Sequence, residues 1–238
     1  MVFEDYLSAF FIASVIIVIY GLYYVLAYTK VYDYIYAQFG KDTNPTVFHS
    51  IFFRLTGFFL FGIVTFLVFS HGYGVELDYL SLEPQYVSDV ILWSASLAVF
   101  FIIVAYINVR NSKESQYPQF KVEQWTIFHK FTTYSTWILY IAAYEFMFRG
   151  VLLFGTIEEM GLYPAIILNV FLYAFVHIPK GWKEVLGCVL LGPVLCILAL
   201  KTQNIAIPIL VHLSLCLSNE FFSIRAEELE QKRISSRL

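Results

Sequence analysis

Residues 7–27 and 90–109 run for 21 and 20 positions without one charged side chain. About 20 helical residues, rising 1.5 Å each, cross the roughly 30 Å hydrocarbon core of a bilayer, so both stretches read as membrane-spanning helices. Composition agrees. Of 238 residues, 59% are hydrophobic and only 14% are charged, and the mean hydropathy is +0.70, which requires lipid around much of the surface. The first stretch has no basic leader and no small-residue cleavage site behind it, and it is read as a retained helix.

Five further stretches are apolar apart from at most two ionisable groups each. Residues 51–69 carry Arg54, 131–157 carry Glu145 and Arg149, and 161–179 carry His177; 185–200 carry no charge, and 202–222 carry His212 and Glu220. Breakers and charges gather between them, as in Gly40 to Pro45 and Arg110 to Ser115. In lipid every backbone polar group must be satisfied within the segment, which favours helices. The expectation is an all-α polytopic helix bundle of about seven transmembrane helices, one integral-membrane domain over residues 1–238, with its chemistry in a core of about 125–222.

Loop cations orient the bundle, because cytoplasmic loops carry an excess of Lys and Arg. With the N-terminus outside, Lys30, Lys41, Arg110, Lys113, Lys121, Lys180, Lys183, Arg225, Lys232, Arg233 and Arg237 fall inside, against Lys201 outside. The protein is expected in the cytoplasmic membrane with its C-terminus in the cytoplasm and residues 223–238 as a short extension of the last helix.

Several functions are excluded early. A net charge of -3 with 15 Lys and Arg offers no basic stripe for a nucleic-acid backbone. Cys188, Cys196 and Cys216 all lie in apolar segments and read as buried thiols rather than exported disulfides. No HExxH pair is present to suggest zinc, and no cofactor is implied. His49, His71 and His129 read as ordinary residues of loops or helix ends.

Ionisable groups inside a spanning helix are costly unless paired or wet, so Glu145, Arg149, His177 and His212 are the candidates for chemistry. Glu145 and Arg149 stand at i and i+4, where opposite charges meet on one helical face. Asn169, Tyr173 and His177 form a polar stripe at steps of four.

The run Tyr144-Glu145-Phe146-Met147-Phe148-Arg149-Gly150 resembles the first motif, EExxxR, of the CAAX-protease and bacteriocin-processing family of intramembrane glutamic proteases. Tyr173 to His177 is similar to its second motif, FxxxH, and the segment around His212 to its last, a His followed four residues later by Asn or Asp. Tyr144 occupies the place of the first glutamate. Four residues after His212 stands Cys216, and the nearest amide, Asn219, lies at seven.

The resemblance implies an intramembrane endopeptidase acting on a membrane-tethered protein or peptide. A carboxylate and an imidazole, Glu145 and His177, would activate a water. His212 would donate to the developing oxyanion, and Arg149 would hold Glu145. Tyr144, Tyr173, Asn169, Cys216 and Asn219 would support them. Two alternatives stand beside this reading: a non-catalytic relative that binds another membrane protein, and acyl transfer on a lipid-bearing substrate with Cys216 as nucleophile.

Overall fold

Among the described residues, seven helices are long and apolar enough to cross a membrane: Ala9–Tyr28, Pro45–Ser70, Val87–Arg110, Ile127–Met160, Leu162–Lys180, Trp182–Thr202 and Ala206–Ser235. The structure is a computed structural model describing residues 2–72, 84–111 and 117–236. Lys113 and Arg237, both counted above as loop cations, lie outside the described residues, as do Ser112, Glu114 and Ser115; the side chain of His71 is also outside them. No strand occurs among the described residues.

The helices are α1 Val2–Tyr28, α2 Lys30–Phe39, α3 Pro45–Gly57, α4 Thr65–Gly72, α5 Val87–Asn111, α6 Ile127–Glu145, α7 Gly155–Met160, α8 Leu162–Phe175, α9 Trp182–Thr202 and α10 Ala206–Ser235. A π-helical stretch, Phe58–Val64, joins α3 to α4, and another, Phe146–Phe154, joins α6 to α7. The second and fourth spans are therefore continuous rods with a wide turn in each. α6 is the centre of the bundle, packed on α3 and α10, while α5 lies along α10 at the periphery.

Local chemistry sets the breaks. Pro45 opens α3 behind Asn44, whose Oδ1 accepts from the backbone N–H groups of Thr46 and Val47 at 2.9 and 3.3 Å. Thr126 caps α6 by accepting from the N–H of His129 at 3.1 Å. The last span begins later than hydropathy suggests: α9 runs through Thr202 and closes at Gln203, which has φ 48°. Asn204 then accepts from the N–H of Ala206 at 2.6 Å, so the new helix starts there. α10 continues unbroken into the charged tail as far as Ser235.

Hydrogen bonds identify the two ends of the bundle. At one end Asn44 donates to the carbonyl of Lys121, Trp125 donates to Glu227, and Lys130 pairs with Glu228 at 2.6 Å. At the other, the N–H of Ala9 donates to Glu159 at 2.6 Å. The first end gathers the connections 28–45, 117–126 and 178–182 with the C-terminal part of α10; the second gathers the start of α1 and the turns at 161 and 203–205.

Candidate functional site

Glu145 is the last residue of α6, and the π-helical stretch beyond it carries Arg149. Both are fully buried. Arg149 Nη1 lies 3.2 Å from Glu145 Oε1 and 3.0 Å from Oε2, so the i, i+4 ion pair read from the sequence forms. π-turns recur at functional sites because widening a helix re-aims its side chains and frees backbone groups. One freed group is engaged from α8, where Asn169 Nδ2 donates to the carbonyl of Phe148 at 2.6 Å while its Oδ1 accepts from the Cys196 thiol at 3.3 Å. Asn169 thus holds the widened turn and does not reach the cavity.

The partner of Glu145 on another helix is His212, not His177. His212, from α10, brings Nδ1 to Glu145 Oε1 at 2.5 Å. His177 instead donates Nδ1–H to the carbonyl of Tyr173 at 2.8 Å, one turn back. A carbonyl only accepts, which assigns that proton to Nδ1 and leaves the lone pair on Nε2. In both rings Nδ1 is anchored; Nε2 of His177 is the nitrogen left for the cavity, while the His212 ring also meets Cys216, one turn along α10, at the cavity wall.

Aromatic rings bind the group together. The Tyr173 ring takes the Arg149 guanidinium at 4.2 Å, lies 4.9 Å from His177 and 6.3 Å from His212. Tyr144 stands between the two imidazoles, edge-on to each, at 6.0 and 5.8 Å. A desolvated cation–π contact is worth about 2 kcal/mol, enough to help hold Arg149 in the interior.

These residues border a cavity of about 990 Å³. Tyr144, Tyr173, His177, His212, Cys188 and Cys216 line it, and it reaches the end of the bundle that carries Thr46, Gln119, Lys180 and Glu184. Glu145, Arg149, Asn169 and Asn219 are absent from its wall. Asn219 donates to the carbonyl of Leu215 at 2.9 Å and stays within its own helix. At the cavity mouth burial holds the Tyr117 phenol well above its ordinary value, so it stays protonated. Among the described residues, no three or more His, Cys, Asp or Glu side chains are arranged to hold a metal ion.

Three polar residues outside the motifs are also built into this region. Arg54 is fully buried; its Nη1 donates to the carbonyl and hydroxyl of Thr133 and to Thr136 at 2.9, 3.0 and 3.1 Å, and Nη2 donates to Gln119 at 2.8 Å. Thr133 in turn donates to buried Glu220 at 2.6 Å. The signal for Arg54 and Glu220 was the same one that marked Glu145, a charge inside an apolar stretch. His49, read as a loop or end residue, sits within α3 and lines the cavity mouth, 4.8 Å edge-on from Tyr32.

Residues 126–217 match a protein-family model described as Rce1-like, type II CAAX prenyl endopeptidase Rce1-like. The matched stretch runs from the cap of α6 into α10 and contains Glu145, Arg149, His177, His212 and Cys216. No match was found among curated proteins or among solved structures. The match ties the motif-bearing core to proteins of CAAX-protease type.

Proposed function

Taking the chain as a member of the CAAX-protease family through this core, we propose that it is an intramembrane endopeptidase cleaving a membrane-tethered, prenylated protein or peptide. The observation that carries the reading is that His177 and His212, on two helices, both have Nδ1 anchored and both line one mainly apolar cavity. His177 Nε2 presents a lone pair to the attacking water. His212 serves the oxyanion: the Glu145 carboxylate behind it orients the ring and stabilises the imidazolium that donates from Nε2. Arg149 keeps Glu145 charged and fixed. This assignment pairs Glu145 with His212 in place of the Glu145–His177 pair expected from the sequence.

The loop cations support an orientation with the basic end of the bundle in the cytoplasm, where a soluble tail bearing a lipid anchor would present its cleavage site. The apolar lining would receive the lipid and the polar mouth the peptide.

One observation favours a second reading. Tyr144 stands where the family has its first glutamate, and Glu145 is sealed behind His212, as in a relative that keeps its ion pair for folding and binds another membrane protein. Reconstitution in liposomes with a farnesylated C-terminal peptide separates the two. The protease releases the terminal tripeptide, detected by mass spectrometry; the scaffold leaves the peptide intact.

A further inference from the structure

The proposed reaction needs a carboxylate that touches the cavity, and Glu145 does not. Both of its oxygens face Arg149, one of them also holds His212, and the residue is fully buried. Among the described residues lining the cavity, one acidic side chain occurs, Glu184. It stands in the first turn of α9 and is exposed, so water can reach it.

The backbone of Glu184 is placed relative to His177 by the turn that connects them. Lys180 N–H donates to the carbonyl of His177 at 2.9 Å, Gly181 N–H to that of Ile178 at 3.1 Å, and Glu184 N–H to that of Gly181 at 3.1 Å. Gly181 has φ 107°, a conformation that side chains strain to adopt, and it reverses the chain so that α9 starts immediately beside the end of α8. His177, Lys180 and Glu184 are delivered to the same cavity by this one connection.

We propose that Glu184 is the proton-transfer carboxylate of this site, supplied by α9 in place of the glutamate that Tyr144 replaces. The inference rests on the endopeptidase reading. A water held between His177 Nε2 and the Glu184 carboxylate attacks the scissile carbonyl carbon as one of its protons passes to Glu184. The new C–O bond forms, the carbonyl electron pair moves onto oxygen beside His212, and the tetrahedral intermediate collapses with breakage of the C–N bond. The proton on Glu184 passes to the leaving nitrogen, which restores the carboxylate.

The test uses full-length protein in liposomes and a farnesylated, internally quenched CAAX peptide, comparing wild type, Glu184→Gln, Glu184→Asp and His212→Ala. General acid–base groups contribute about 10²–10⁴-fold. Glu184→Gln is expected to lower kcat by that factor with KM nearly unchanged and the melting temperature in detergent retained, and Glu184→Asp to recover part of the rate. A kcat loss under tenfold, or a rise in KM alone, in a preparation that His212→Ala inactivates overturns the role of Glu184 and leaves the protease reading standing. Absence of cleavage by wild type overturns both.

Discussion

His212 Nδ1 lies 2.5 Å from Glu145 Oε1, joining α10 to the junction of α6 and its π-helical extension across 67 positions of sequence. Glu145 is thereby shared between an imidazole and the Arg149 guanidinium, with the carboxylate and the guanidinium fully buried behind His212. Removing one partner of a buried ion pair leaves the other uncompensated, at a cost of about 3–5 kcal/mol.

That coupling predicts a reversal. Arg149→Met alone and Glu145→Gln alone should each lower the thermal unfolding temperature in detergent. The double variant, which removes both charges together, should recover a large part of the loss while remaining inactive. Independent, additive destabilisation would show that the two side chains do not act as a pair.

The Arg54 cluster predicts a separate stability effect. Arg54→Met removes hydrogen bonds to Thr133, Thr136 and Gln119 and strands Glu220 beneath Thr133. Loss of a buried polar partner costs about 1–3 kcal/mol, so melting should fall, and Glu220→Gln in the same background should restore part of it. Unchanged melting of Arg54→Met would contradict the cluster's structural role.

Much of this architecture was legible because lipid simplifies the problem. Uncharged runs long enough to span gave the helices, and the i, i+4 rule gave Glu145 with Arg149. The pairing of Glu145 with His212 was not legible, since it depends on which faces of α6 and α10 meet, a matter of packing between segments far apart in sequence. The π-helical turn at Phe146–Phe154 is equally invisible to hydropathy, yet it fixes where Arg149 points. Glu184 was not singled out, because nothing in the sequence around it shows that the Gly181 turn folds it onto the cavity.

The cysteines report on the cavity and its orientation. Cys188 and Cys216 line it, whereas Cys196 is outside it and bonded to Asn169. A small charged methanethiosulfonate added from the cytoplasmic face should modify Cys188 and Cys216 in intact vesicles and spare Cys196. Labelling confined to the opposite face would reverse the proposed orientation.

A protease reporter of topology provides an independent check. A fluorescent protein fused after Leu238 should fold and fluoresce on the cytoplasmic side and resist protease added to the exterior, as the cation-rich end requires. An exported fusion would contradict the seven-span topology with its N-terminus outside.

The central claim, that two anchored imidazoles in one cavity perform peptide hydrolysis, is tested most directly by single-turnover cleavage of a farnesylated CAAX peptide in liposomes by wild type, His177→Ala and His212→Ala. Wild type should release the terminal tripeptide, and each variant should lose about 10²–10³-fold in rate, the scale expected when one oxyanion donor or proton-handling group is deleted; His177→Ala should keep its melting temperature, whereas His212→Ala, which strips Glu145 of one partner, should also melt lower. Cleavage by either variant at the wild-type rate, or none by wild type, would contradict it.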